Sequence, residues 1–126
     1  MELKRILHVD DDEDIRTIVQ LSLEVVGNFE IRQCPDGPSA VAAAPEFAPQ
    51  LLLLDVMMPG MSGLEVWEAI ARHAGLEDVP AIFVTAKAED EFSRDLLEKG
   101  AMAVIVKPFD PMTLFEQIQS AWDKSR

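Results

Sequence analysis

Four consecutive leucines, Leu51 to Leu54, run straight into Asp55 with no polar residue between them. A strand with one wet face alternates apolar and polar residues, whereas a strand covered on both faces reads as an unbroken apolar run. Lys4 to Val9, Ala81 to Val84 and Met102 to Val106 follow the second pattern, while Glu30 to Cys34 mixes the two residue classes as an edge strand does. Five strands are expected. Apolar residues also recur at three- and four-residue steps, the spacing of a helix face. The stripes are Ile15, Ile18, Val19, Val25 and Val26; Ala40, Val41 and Ala44; Leu64, Trp67, Ile70 and Ala71; Phe92 and Leu96; and Leu114, Phe115, Ile118, Ala121 and Trp122. One helix therefore follows each strand.

Ser62 stands as an N-cap before the third stripe, and Asp110-Pro111 pairs a capping carboxylate with a proline in the first turn of the last helix. Gly27, Gly75 and Gly100 fall just past three helix ends, where a left-handed residue is common. Strict alternation of strand and helix implies an open, doubly wound α/β sheet of five parallel strands flanked by five helices. The flavodoxin-like strand order 2-1-3-4-5 is the expected one.

At 126 residues the chain is sized for one domain spanning 1–126, with no length left for an effector domain. Cys34 is alone, and no Cys/His grouping has zinc spacing. No segment matches a signal peptide or a membrane span, so the cytoplasm is the default location. A formal charge of -12 disfavours direct nucleic-acid binding, which depends on clustered Lys and Arg, and favours cations or basic protein surfaces as partners.

In a sheet of this kind ligands sit at the carboxyl ends of the strands. Those ends carry Asp10 and Asp11, Asp55, Thr85 and Lys107, drawn from four separate parts of the chain. Three carboxylates suit a hard divalent cation such as Mg²⁺. Asp55, on the central strand, is placed to act as a nucleophile that forms an aspartyl phosphate, with Thr85 and Lys107 holding phosphoryl oxygens. Asp12, Glu13 and Asp14 read instead as acids of a helix start. His8 reads as a core imidazole and His73 as a solvated one.

The segments ILHVDDDEDIR, LLLLDVMMPGMSGLEV, VTA and KGAMAVIVKPF, in that order, resemble the receiver domain of bacterial two-component response regulators, including the single-domain chemotaxis type. The resemblance implies Asp55 as phospho-acceptor and Asp10 and Asp11 as the acidic metal pair. It implies the backbone carbonyl of Met57 as a further Mg²⁺ ligand, Thr85 as switch hydroxyl and Lys107 as phosphate-binding lysine, with a cis Lys107-Pro108 bond. A sensor histidine kinase or histidine phosphotransfer protein is the implied donor. The face of helix four, strand five and helix five is the implied docking surface for a downstream protein. Such a domain is no enzyme in the ordinary sense, since it promotes only its own phosphorylation and dephosphorylation.

The sequence departs from the family at Val104, where many receivers keep a switching Tyr or Phe. That directs the expected signal through the loop Ala86 to Asp90 and helix four, and it makes Met57 and Lys87 candidates for setting the lifetime of the phosphorylated form. Two rival readings are a degenerate receiver that binds partners without phosphorylation and an aspartyl-phosphate phosphatase. The latter is disfavoured because such enzymes place their nucleophile at the end of the first strand and normally carry a cap insertion, whereas this chain is too short for a typical member and Asp55 ends the central strand.

Overall fold

In the computed structural model, which describes residues 2–86 and 91–125, five parallel strands form one sheet in the order β2-β1-β3-β4-β5. They are β1 (Arg5–Val9), β2 (Glu30–Cys34), β3 (Leu51–Asp55), β4 (Ala81–Thr85) and β5 (Ala103–Val106). The helices are α1 (Glu13–Gln20), α2 (Gly37–Phe47), α3 (Gly63–Ala71), α4 (Glu91–Glu98) and α5 (Pro111–Lys124). Among the described residues no helix is long and apolar enough to cross a membrane.

The leucine run explains the layering. Leu51 and Leu53 enter a core with Val19, Leu23, Leu114 and Ile118, under α1 and α5. Leu52 and Leu54 enter a second core with Ala40, Val66, Ile70 and Leu96, under α2, α3 and α4. Successive side chains on a strand point to opposite faces, so a strand between two helix layers needs an apolar residue at every position. Trp67 of α3 packs on the sheet, its ring 5.6 Å from that of Phe83 in an edge-to-face arrangement, and its indole N–H donates to Val79 O at 3.2 Å.

Three expectations about strands and helix faces need correction. β5 is not buried on both faces: it begins at Ala103 rather than Met102, and Val106 is 38% exposed, because this strand closes the sheet and has a neighbour on one side only. In the first stripe Val25 faces solvent, 68% exposed. After Gln20 the helix widens into a π-helical segment, Leu21–Val26, in which Gly27 N bonds to Ser22 O at 2.8 Å. Within this segment Ser22 and Leu23 are buried and Val25 points outward. Phe92 likewise lies at the margin of its stripe, 39% exposed, while Ser93 and Leu96 face the core.

Capping follows the sequence closely, with one exception. Ser62 and Glu65 form a reciprocal capping box on α3, and Asp110 accepts from Met112 N at the start of α5. Gly75 and Gly100 have left-handed backbone, but Gly27 has φ -82° and the left-handed residue is Asn28. Gly27 sits in close quarters, since a Cβ there would come within 3.1 Å of Phe115 Cβ. His73 is half-buried, with its Nε2 buried and without a hydrogen-bond partner among the described residues.

Candidate functional site

The carboxyl ends of β1, β3, β4 and β5 meet at one edge of the sheet. Pairing of Thr85 with Val106 brings β5 level with β4, and a 2.7 Å bond from Lys107 N to Thr85 O extends the contact by one residue. The Lys107-Pro108 bond is cis. Lys107 Nζ lies 3.0 Å from Asp10 Oδ2 and 3.4 Å from Asp55 Oδ1. Asp10, Asp11 and Asp55 each offer a carboxylate oxygen within 4.8 Å of the other two. Asp10, Asp55 and Thr85 are buried, while Asp11 is exposed and forms the open side of the group.

Each acid is held differently. Asp10 is held on several sides: its N–H donates to Cys34 O at 3.2 Å, Oδ1 accepts from Asp12 N at 2.9 Å, its carbonyl accepts from Arg16 Nη1 at 2.8 Å, and the buried Oδ2 is ion-paired with Lys107. Asp12 turns away to cap α1, accepting from Asp14 N and Ile15 N, as the helix-start reading requires. Asp55 is backed by Gly63, at the first residue of α3. A Cβ at Gly63 would stand 2.3 Å from the Asp55 carbonyl oxygen, so the helix start presses on the main chain at the end of β3 with no atom to spare.

Burial pushes the Asp55 carboxyl up to about 6, and the neighbouring charge of Asp10 adds to the effect while Lys107 opposes it. For Lys107 burial acts to lower the pKa, but its bonds to Asp10 and Asp55 outweigh that and raise it. Beneath them His8 is kept neutral, its pKa lowered to about 3 by burial and by the charges of Lys107 and Arg16. The result is a pocket with more negative charge than the Lys107 ammonium balances, and hard oxygen donors are the set that Mg²⁺ takes.

Beside the carboxylates a cavity of about 310 Å³ is lined by Asp55, Met57, Thr85, Phe92, Leu96 and Lys107, among others. The Met57 side chain is 76% exposed at its mouth. Val104 is half-buried and packs on the core that contains Leu96. Lys87 and the remainder of the loop to Asp90 lie outside the described residues.

The model of the response regulator receiver domain family matches residues 6–119. The chain belongs to that family. This receiver is 37% identical over 117 residues to the phosphate regulon transcriptional regulatory protein PhoB of Pseudomonas aeruginosa, covering 93% of this chain and 51% of that protein. It is 36% identical to the DNA-binding response regulator MtrA of Mycolicibacterium paratuberculosis, covering 93% of this chain and 50% of the relative. The chain thus spans about half the length of the curated relatives it matches. Among solved structures, the chemotaxis protein CheY4 of Vibrio cholerae superposes with a TM-score of 0.85 at 30% identity, covering 95% of this chain and 99% of that one. A CheY-like receiver domain protein of Methanospirillum hungatei gives 0.81 at 33% identity, covering 98% and 96%.

The five strand-end residues singled out in the sequence come together. Missed were Arg16 and Gly63. Arg16 carried little signal, because its guanidinium donates to the Asp10 carbonyl, a main-chain atom. Gly63 carried one, since glycine directly inside an N-cap gives up helix propensity and implies a crowded neighbour.

Proposed function

We propose that Asp55 accepts a phosphoryl group from the phosphohistidine of a sensor histidine kinase or a histidine phosphotransfer protein. An Asp55 carboxylate oxygen attacks phosphorus, a P–O bond forms, and the P–N bond breaks with its electron pair leaving on the imidazole, which takes a proton. Such a transfer needs positioning and positive charge more than it needs a base. Asp10, Asp11 and Asp55 fit Mg²⁺, and with the Met57 carbonyl they would hold it. The ion, when bound, supplies charge neutralisation for the phosphoryl oxygens. Lys107 offers an ammonium to one side of the same oxygens, and Thr85 a hydroxyl to another.

The observation that carries this reading is the placement of Lys107 between Asp10 and Asp55, a cation already held at the acceptor carboxylate. A phosphoryl group adds roughly two negative charges, which would draw Lys107 and Thr85 toward Asp55 and shift the population of states on the face of α4, β5 and α5, where a downstream protein would dock. The domain would promote only its own phosphorylation and dephosphorylation, with Met57 and Lys87 setting the lifetime, and a phosphohistidine donor implies the cytoplasm.

Incubation with Mg²⁺ and a small acyl phosphate tests it by intact mass. A gain of one phosphoryl group is expected in the wild type and none in Asp55→Asn. No gain in the wild type refutes the reading and leaves a receiver that binds partners without phosphorylation, whereas an equal gain in the variant refutes Asp55 as the acceptor.

A further inference from the structure

The exposed Asp11 owes its direction to the peptide that joins it to Asp10, and that peptide is gripped from an unexpected side. Its carbonyl oxygen accepts from Arg16 Nη1 at 2.8 Å. Arg16 in turn is tied to β2, because Gln33 Nε2 donates to the Arg16 carbonyl at 2.8 Å. A carbonyl only accepts, which fixes the Gln33 amide with its NH₂ toward α1. The same nitrogen lies 3.1 Å from His8 Nδ1, so the imidazole ring accepts at Nδ1 and keeps its proton on Nε2. His8 and Gln33 are paired neighbours in β1 and β2, and their side chains therefore stand together on the face that α1 covers. His8 is buried within that layer, where a polar ring needs a reason to be.

We infer that His8, Gln33 and Arg16 act as a positioning relay that locks the Asp10-Asp11 peptide so that Asp11 faces the cation site. The ring of His8 sets the Gln33 amide, the amide sets the second turn of α1, and the guanidinium on that turn holds the peptide oxygen. None of the three touches the cation, and the relay spans β1, β2 and α1 with directional bonds at every joint. This inference rests on the reading of Asp10, Asp11 and Asp55 as a Mg²⁺ site.

Charge and position make opposite demands on Arg16, and this opens a clean test. Removing a cation beside three carboxylates tightens Mg²⁺ binding if only charge matters, and weakens it if the peptide loses its anchor. Calorimetric Mg²⁺ titration of the full chain at neutral pH is expected to show Arg16→Ala and Gln33→Leu each weakened by roughly tenfold, the scale of lost support for metal ligands. The double variant should be no weaker than the weaker single. His8→Val should weaken binding in the wild-type background and add nothing to Gln33→Leu. Arg16→Ala binding as tightly as wild type or tighter overturns the inference, as does a Gln33→Leu affinity within twofold of wild type. Full additivity in the double variant also overturns it. Should His8→Val fail to fold, the other three proteins still decide the outcome. Asp11→Ala serves as the control: if it binds as tightly as wild type, the metal-site reading fails, whereas its loss of binding beside unaffected relay variants sinks the relay alone.

Discussion

The ammonium of Lys107 stands 3.0 Å from the Oδ2 of Asp10, closer than to the acceptor carboxylate it would serve. One cation thus divides itself between two buried acids, and its removal strands both. Lys107→Met is expected to raise the Asp55 pKa further above about 6 and to lower stability at pH 7 by about 1–3 kcal/mol, less than a fully buried broken pair because protonation limits the loss. Urea denaturation measures the second effect, and carboxyl ¹³C shifts followed against pH measure the first.

Asp55 itself weakens the fold it sits in. Its pKa rises from 3.8 to about 6 on folding, so the folded chain holds the proton more tightly than the unfolded chain does. The contribution of Asp55 to stability is most favourable below about pH 4, falls as pH rises through 6, and is constant beyond, with a total change of at most about 3 kcal/mol. Asp55→Asn should therefore be more stable than wild type at pH 7.5 without Mg²⁺, and this advantage should vanish toward pH 4. Paired denaturation curves at the two pH values check it.

Metal binding must displace the same proton. Mg²⁺ affinity is expected to be steady above pH 7 and to drop by about tenfold for each pH unit below 6. Proton release measured in two buffers of different ionisation enthalpy should approach one per ion at pH 5.5 and vanish at pH 8. Chelation with EDTA should lower Tm at pH 7.5 and leave Asp11→Ala unmoved.

Gly63→Ala is expected to lower stability by about 3 kcal/mol, the upper end of the usual range for overpacking, since its Cβ would meet the Asp55 carbonyl oxygen at 2.3 Å. Ser62→Ala, one residue away, should cost only about 1 kcal/mol, the worth of an N-cap. Thermal unfolding of the two variants side by side separates crowding from capping.

The sheet was readable in the sequence because β3 and β4 lie between two helix layers and must be apolar at every position. β5 misled for the same reason: Ala103 to Val106 is as apolar as an inner strand, and nothing in four residues tells how many neighbours they have. The π-helical turn at Leu21–Val26 was hidden because helical spacing assumes a constant pitch, and Val25 counted as inward only under that assumption. The strand-end residues were legible since their chemistry has no use elsewhere in a core. Arg16, Gln33 and Gly63 act through backbone atoms of their neighbours, and a contact to a main-chain oxygen leaves no complementary residue type to find.

Gly63 and Asp55 would part company under selection. A library of random variants sorted for folding alone would retain glycine at 63, where every side chain collides, and would accept replacement of Asp55, whose burial weakens the fold. The same library sorted for signalling would hold both. The abundance of substitutions at these two positions would thus separate, without any assay of phosphate, what the chain needs in order to exist from what it needs in order to act.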